Sequence, residues 1–170
     1  MDISKIVRDV PDFPIKGIIF KDITPVLSDA VAFKEAVKKM EEKIDFSKVD
    51  KIAGIESRGF IFGSVLALNH NKGFVPIRKK GKLPYSTLEE TYALEYGLAT
   101  IEMHTDAVKK GERVLIVDDL LATGGTTKAA ATLIERAGGI VEGMLFLIEL
   151  DLLAGRKKVE NYKISSIIHY

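Results

Sequence analysis

The sequence contains no cysteine, which excludes disulfide bonds, thiolate metal sites and cysteine nucleophiles. It has no apolar run close to the roughly 18 residues that a membrane-spanning helix needs, and its N-terminal residues lack the apolar core of a signal peptide. It also lacks an excess of either charge, because 25 lysines and arginines are balanced by 24 aspartates and glutamates. This balance gives no support for a nucleic-acid or membrane-surface partner. We therefore expect a cytoplasmic protein that binds neither.

Two common nucleotide-binding motifs are also absent. The sequence contains neither the G-x-x-x-x-G-K-[ST] run of Walker-type proteins nor the G-x-G-x-x-G fingerprint of dinucleotide-binding folds. Its three histidines, His70, His104 and His169, do not have the spacing of a metal site, so we interpret them as incidental. There are no repeats or low-complexity stretches. With 46% hydrophobic residues, the 170-residue chain is suited to a single domain with a sizeable core.

The most informative stretch is residues 114–127, which reads V-L-I-V-D-D-L-L-A-T-G-G-T-T. Its apolar beginning predicts a buried strand of a parallel sheet that ends at Asp118 and Asp119, and residues 128–137 have helical spacing. A strand, a glycine-rich loop and a helix start together favour the binding of phosphate. Glycines permit close approach of the backbone to the anion, and the helix dipole attracts negative charge. The two carboxylates fit a ligand that carries sugar hydroxyls or a metal beside its phosphate. A plain strand-to-helix connection explains these residues equally well.

Two other predicted strands are followed by candidate anion-binding loops. Residues 51–55 predict a strand, E-S-R-G-F follows, and an apolar run at 60–68 predicts a buried helix. The helix dipole disfavours a cation at a helix start, so Arg58 there indicates an anion, although an exposed turn arginine is the alternative. Residues 73–77 predict another strand, and residues 78–84 then read R-K-K-G-K-L-P. These cations suit a polyanionic ligand under a loop that closes at Gly81, but a solvated basic loop is the alternative.

The remaining pattern alternates between strands and helices. A short helix is predicted at residues 3–9, an amphipathic helix at 29–44, a hairpin strand at 99–104, and strands at 140–150 and 163–168. Such alternation predicts an α/β fold, with a mostly parallel central sheet flanked by helices and a ligand at the carboxyl ends of its strands.

The central stretch resembles, over thirteen consecutive positions, the 5-phosphoribosyl-1-pyrophosphate (PRPP) signature of the type I phosphoribosyltransferases. The resemblance implies that Asp118 and Asp119 bind the ribose hydroxyls of PRPP. It also implies that a loop cradles the 5′-phosphate through Ala122, Thr123, Gly124, Gly125 and Thr126. The E-S-R-G-F and R-K-x-G-K-L-P runs are similar to pyrophosphate-binding segments of the same family. The residues implied to hold pyrophosphate are Ser57, Arg58, Arg78, Lys79 and Lys82. In that family the peptide matching Glu56–Ser57 is often cis, and the counterpart of Arg78 reaches across a dimer interface.

The N-terminal run D-F-P-I-K-G-I-I-F-K-D-I-T-P resembles the base-binding segment of adenine phosphoribosyltransferases. This implies that Phe20 stacks on adenine while the main chains of Ile19 and Lys21 hydrogen-bond its edge. By itself, the segment is better interpreted as a surface loop with Phe20 in the core. A further run, Y-x-L-E-Y-G, implies that Glu95 manages the proton at purine N9 and that Tyr96 orders a closed loop. Without the resemblance, Glu95 is an ordinary outward-facing strand residue.

Four such motifs, in family order, make the resemblance extend over almost the whole chain. It implies one phosphoribosyltransferase domain, residues 1–170, with a small N-terminal hood at about 1–27 on a core at about 28–170. The implied reaction converts adenine and PRPP to AMP and pyrophosphate, with catalytic roles for Glu95, Asp118 and Asp119. It also implies Mg²⁺ held through PRPP and water, and a homodimer. The alternatives are an enzyme for another base and a PRPP-sensing regulator. Residues 85–92 have no assigned role.

Overall fold

The computed structural model describes residues 1–94 and 96–170. Its strands are β1 (Arg8–Pro11), β2 (Ile19–Asp22), β3 (Lys51–Ile55), β4 (Gly73–Lys79), β5 (Thr87–Ala93), β6 (Leu98–His104), β7 (Arg113–Leu121), β8 (Ile140–Glu149) and β9 (Ile164–His169). Its α-helices are α1 (Thr24–Ser28), α2 (Ala30–Glu41), α3 (Arg58–Asn69) and α4 (Gly125–Arg136). Among the helices of these residues, none is both long enough and apolar enough to cross a bilayer.

A seven-stranded sheet forms the centre of the molecule, in the order β5-β6-β4-β3-β7-β8-β9. The strands from β4 through β3, β7 and β8 to β9 are parallel to one another, whereas the β5–β6 hairpin is added antiparallel at the β4 edge. The predicted α/β fold with a mostly parallel sheet is therefore confirmed. The small antiparallel pair β1–β2 lies outside this sheet.

Strand β7 separates two apolar cores. Because successive side chains of a strand point to opposite faces, Leu115 and Val117 pack into one core with α2 and α3, and Val114 and Ile116 pack into the other with α4. All four side chains are fully buried. Burial on both faces explains why this strand is apolar without alternation in the sequence.

The central strand is longer than the sequence predicts. Asp118 and Asp119 lie within β7 and not at its end, because β8 continues as a ladder partner as far as the pair Leu121↔Glu149. Helix α4 begins at Gly125, three residues earlier than predicted, since Gly124 turns the chain with a φ of 79°. The consequence is a very short connection between the two acids and the helix start.

The N-terminal prediction is wrong beyond Lys5. Only Ile3–Lys5 form a helical turn, of the 3-10 type, and β1 begins at Arg8. A helix of so few residues has little stability of its own, whereas β1 gains a full antiparallel register with β2 and an ion pair of 2.6 Å between Arg8 and Asp22. The prediction of an amphipathic helix at 29–44 is confirmed for α2, which the Asp29 carboxylate caps by accepting from the N–H groups of the first turn at 2.9 and 2.8 Å.

Candidate active site

The carboxyl ends of β3, β4 and β7 converge on one pocket of about 300 Å³. These three strands are neighbours in the sheet and run in parallel, so the loops that follow them meet at one edge. The residues that line the pocket are Glu56, Ser57, Arg58, Lys79, Asp118, Asp119 and Leu120. The structure therefore brings together predicted residues from three separate motifs. Arg78 and Lys82 are not among the residues that line it.

An ion pair lies at the centre of this pocket. Arg58 Nε donates to Asp119 Oδ2 at 2.5 Å, and the Asp119 side chain is only 5% exposed. The adjacent Asp118 Oδ1 accepts from the Asp119 N–H at 2.9 Å. Desolvation in the pocket, followed by the negative charge of Asp119, raises the pKa of the Asp118 carboxyl well above its ordinary value. A cation or hydroxyl donor in the pocket would favour the ionised form of this carboxyl.

Gly59 allows helix α3 to approach the acids closely. A methyl group at this position would lie 2.7 Å from the Val117 carbonyl oxygen and 2.9 Å from Asp118 Oδ1. A glycine is therefore required where the first turn of α3 packs on β7. The peptide between Glu56 and Ser57, at the entry to this turn, is cis, as the resemblance implies.

Two carboxylates that the sequence analysis missed hold the cationic loop, residues 78–84. Glu56 accepts from the Lys79 N–H at 2.9 Å and pairs with the Arg78 guanidinium at 3.3 Å. Glu102, only 3% exposed, accepts from the N–H groups of Lys82 and Leu83 at 3.0 and 2.7 Å. Although burial opposes its ionisation, the hydrogen bond from Lys79 and the charge of Arg78 lower the pKa of the Glu56 carboxyl. Neither acid could be found from the sequence, since each is about twenty residues away from the loop.

A second, smaller cavity of about 80 Å³ adjoins the pocket through Asp118 and Leu120, which line both. Its other lining residues come from the turn after β7, namely Ala122, Thr123, Gly124, Gly125, Thr126 and Thr127. The first N–H groups of α4 have no partner within the helix, and they mark this cavity as a place for an anion. We refer to residues 122–126 as the glycine-rich loop.

Phe20 lies on β2, outside both apolar cores and next to the pocket residue Arg58. It is half-buried, its ring stacks edge-on against Phe13 at 5.2 Å, and the Arg58 guanidinium lies 5.3 Å from its centroid. The interpretation of Phe20 as a core residue is therefore wrong. On either side of it, Ile19 is 57% exposed, and the Lys21 ammonium pairs with Asp9 at 2.6 Å.

The β5–β6 hairpin lies beside the glycine-rich loop. Residues 85–92, which had no assigned role, form most of β5, and the Tyr92 hydroxyl lies 2.8 Å from Thr126 Oγ1. At the hairpin turn, Gly97 has a φ of 86° and Tyr96 is 84% exposed. The predicted catalytic residue Glu95 lies outside the described residues.

The histidines all have partners. His70 stacks on Phe46 with a centroid distance of 3.6 Å, and His104 Nε2 accepts from the Tyr85 N–H at 3.3 Å. His169 approaches Glu149 and Asp151 closely enough that the three could share a metal ion. Both Glu149 oxygens, however, already accept from Arg156, at 2.9 and 2.6 Å. This cluster is a hydrogen-bonded network away from the pocket.

Together, the sheet, the paired acids and the glycine-rich loop define an α/β domain with a ligand site at the carboxyl ends of its strands. The family model of the phosphoribosyl transferase domain matches residues 27–167. The adenine phosphoribosyltransferase of Brachyspira hyodysenteriae is 55% identical over 170 residues, covering all of both chains, and that of Kosmotoga olearia is 54% identical with the same coverage.

Solved structures give the same result. The adenine phosphoribosyltransferase of Thermoanaerobacter pseudethanolicus superposes with a TM-score of 0.97 at 53% identity, covering 99% of this chain and 98% of that one. The yeast enzyme, in complex with D-2,5-dideoxy-2,5-imino-altritol 1,6-bisphosphate and adenine, has a TM-score of 0.94 at 38% identity, covering 98% of this chain and 96% of its own. The chain belongs to the adenine phosphoribosyltransferase family.

Proposed function

We propose that this chain transfers the 5-phosphoribosyl group of PRPP to adenine, giving AMP and pyrophosphate in purine salvage. The observation that carries the proposal is the Arg58–Asp119 pair, because it lies in one pocket with Asp118 and the loop cation Lys79 and has the Phe20 ring beside its guanidinium. Membership of the family, with relatives above 50% identity over the full length, supports the choice of adenine.

The two adjoining cavities suit the two ends of the phosphorylated ribose. In the proposed complex, Asp118 and Asp119 accept hydrogen bonds from the ribose hydroxyls. The 5′-phosphate occupies the smaller cavity, where the loop residues Ala122, Thr123, Gly124, Gly125 and Thr126 surround it. The support is the shared wall: Asp118 lines both cavities, so a ligand can place hydroxyls and phosphate side by side.

The pyrophosphate end is assigned to the cations. Arg58 and Lys79 line the pocket together with Ser57, and Arg78 and Lys82 lie on the adjoining cationic loop. When ribose hydroxyls engage Asp119, the Arg58 guanidinium becomes available to the pyrophosphate oxygens. Arg78 has an alternative role toward a second copy of the chain, since we also propose a cytoplasmic homodimer.

Adenine is assigned to the N-terminal hood, about residues 1–27, over a core that includes about 28–170. Phe20 offers one face of its ring to the purine, and stacking supplies affinity without selecting the base. The main chains of Ile19 and Lys21 then select adenine by hydrogen bonds to its edge. The exposure of Ile19 leaves room for a ligand on this side of the hairpin.

The pocket residues suit Mg²⁺, which prefers oxygen ligands and keeps several waters. Among the described residues that line the pocket, Asp118, Asp119 and Glu56 offer carboxylate oxygens and none offers a sulfur or imidazole donor. We propose that the ion is held mainly by PRPP and water, with Asp118 and Asp119 nearby. When bound, it would neutralise charge on the departing pyrophosphate.

The chemistry follows from where charge develops. As pyrophosphate leaves, ribose C1′ becomes positive, and the carboxylates of Asp118 and Asp119 orient the ring and favour that charge. Arg58, Lys79 and Lys82 stabilise the negative charge on the leaving group. Glu95 accepts the proton that leaves adenine N9 while that nitrogen attacks C1′. Positioning and electrostatics supply the rate, and no covalent enzyme intermediate forms.

The test is product formation by the purified protein with PRPP, Mg²⁺ and one base at a time. The bases are adenine, hypoxanthine, guanine, xanthine and orotate. We expect AMP from adenine and no turnover of the others. Turnover of a different base would retain the PRPP site and overturn the assignment of the hood. PRPP binding without turnover of any base would instead indicate a PRPP sensor.

A further inference from the structure

Tyr92 contacts two consecutive residues of the glycine-rich loop. Its hydroxyl lies 2.8 Å from Thr126 Oγ1, and its half-buried ring packs against Gly125, where an added methyl group would lie 3.3 Å from the ring edge. No other side-chain hydroxyl among the described residues hydrogen-bonds to the side chain of a loop residue. Tyr92 therefore holds the loop from behind, on the side of the β5–β6 hairpin.

The position of Tyr92 is itself fixed. Strand β5 pairs with β6 along its whole length, with Tyr92 opposite Ala99. The far end of α4 is also attached to β5, because Arg136 Nη1 donates to the Glu89 carbonyl at 2.5 Å and to Glu90 at 3.2 Å. Strand β5 thus contacts α4 near both ends of the helix. The Tyr92 hydroxyl therefore has little freedom to move away from Thr126.

The direction of the hydrogen bond follows from the chemistry of an anion. A hydroxyl has one proton and two lone pairs. Phosphate oxygens that face the loop accept hydrogen bonds, so the Thr126 hydroxyl uses its only proton on the phosphate. Its oxygen can then only accept from Tyr92, which must be the donor. Donation from Tyr92 also polarises the Thr126 hydroxyl and strengthens its bond to the anion.

We propose that Tyr92 is a positioning residue for the 5′-phosphate, which orients the Thr126 hydroxyl by donating a hydrogen bond to it. The inference rests on the proposed function, since it takes the glycine-rich loop as the 5′-phosphate site. It gives a role to Tyr92, the last residue of the stretch 85–92, which precedes Glu95 by three positions in the sequence.

The first test is Tyr92→Phe, which keeps the ring against Gly125 and removes only the hydroxyl. We expect the KM for PRPP and the dissociation constants of AMP and ribose 5-phosphate to rise about two- to tenfold, the usual effect of one lost hydrogen bond. The KM for adenine and the affinity for pyrophosphate should stay unchanged, because neither ligand contains the 5′-phosphate. The matched control is Tyr162→Phe, which removes the 2.7 Å hydrogen bond that the Tyr162 hydroxyl donates to Glu135 near the far end of α4, away from the loop.

The second test is a double-mutant cycle with Thr126→Val. Because Tyr92 acts through the Thr126 hydroxyl, Tyr92→Phe should have no further effect on ribose 5-phosphate affinity in the Thr126→Val background. Thr126→Ser, which keeps a hydroxyl, should restore the effect of Tyr92→Phe. Additive effects of the two substitutions would overturn the inference, as would an unchanged affinity in Tyr92→Phe alone.

Calorimetry with ribose 5-phosphate separates this inference from the proposed function. If the unmodified protein does not bind ribose 5-phosphate, the proposed phosphate site is wrong. If it binds, and Tyr92→Phe binds equally well, only the role of Tyr92 is wrong. Melting curves of each variant show whether the fold is retained. In a variant that melts like the unmodified protein, a loss of affinity is due to the change at the phosphate site.

Discussion

Arg58 connects the pocket with a strand that is far from it in the sequence. It pairs with Asp119 on β7 while its guanidinium lies over the Phe20 ring on β2. A side chain with such contacts on both sides has few conformations open to it. We therefore expect Arg58 to contact both the proposed base site and the proposed ribose site. Arg58→Lys should weaken both contacts, since an ammonium lacks the planar guanidinium group that makes them.

Asp22 gives a prediction about pH. Hydrogen bonds from the Thr24 hydroxyl and N–H, followed by the one from Arg8, lower the pKa of the Asp22 carboxyl from 3.8 to about 2. A lowered pKa in the folded state stabilises the protein above pH 3.8, and this contribution is lost as the pH falls through about 2. Asp22→Asn should therefore reduce the free energy of unfolding at pH 7, by about 1 kcal/mol as for a lost helix cap.

Urea unfolding of both proteins between pH 7 and pH 2 measures this effect. The difference between wild type and Asp22→Asn should shrink steadily below pH 4. Asp106→Asn, at an exposed position, serves as the control for the removal of one carboxylate. A constant difference across the whole range would show that the ionised carboxylate is not the cause.

The glycine-rich loop is supported by a second element that follows β8. The 3-10 segment Gly155–Val159 begins directly behind the loop, where a methyl group on Gly155 would overlap the Ala122 carbonyl oxygen. The pairing of Arg156 with Glu149, which is only 5% exposed, holds this segment against the end of β8. The loop is thus packed between Tyr92 on one side and Gly155 on another.

Gly155→Ala should displace the glycine-rich loop, because the contact it creates is with backbone atoms that cannot rotate away. We expect the KM for PRPP to rise more than tenfold and the stability to fall by about 1–3 kcal/mol, as for other overpacked sites. Steady-state kinetics and thermal unfolding measure the two effects. Gly73→Ala is the matched control, since its nearest neighbour is a flexible Lys51 side chain at 3.6 Å. A PRPP KM close to that of the control would contradict this role of Gly155.

Much of the element structure could be predicted, and the failures have physical causes. The strand at 51–55 and the helix after Ser57 were predicted with nearly the observed bounds because each follows a simple apolar pattern. The β1–β2 hairpin was missed because each of its strands has only four residues and is held by pairing with the other, including the bond from Arg8 to Asp22 fourteen residues away. Likewise, Glu56 and Glu102 bind backbone N–H groups of a distant loop, and no local pattern in the sequence reveals such contacts.

At the scale of the whole molecule, ligand binding should stabilise the fold strongly, because the pocket joins loops after three neighbouring strands. PRPP with Mg²⁺ at a hundred times its dissociation constant contributes about 2.7 kcal/mol. For a domain of this size, that corresponds to an increase in melting temperature of about 5–10 °C. Asp119→Asn should lose most of this increase, since it removes the carboxylate assigned to the ribose. The Asp106→Asn protein should keep it.

Differential scanning calorimetry with and without PRPP measures these increases, each variant being compared with its own ligand-free form. This comparison removes the effect of losing the Arg58–Asp119 pair in the absence of ligand. A full increase in the Asp119→Asn protein would show that this carboxylate does not contribute to PRPP binding.

The pairing of β3 with β7 has a consequence for synthesis on the ribosome. Lys51 lies opposite Val114 in this parallel ladder. The edge of β3 that faces β7 therefore stays unpaired until more than sixty further residues have been made. Until then, the nascent chain exposes an apolar strand with unpaired backbone groups. Such an edge can pair with strands of other chains and lead to aggregation. Bound PRPP cannot protect the chain during this interval, because its proposed contacts, Asp118 and the glycine-rich loop, are made only with and after β7. Strand β7 covers this edge of β3 and also carries Asp118 and Asp119, so the exposed edge is paired at the same step of synthesis at which the proposed ribose-binding acids are made.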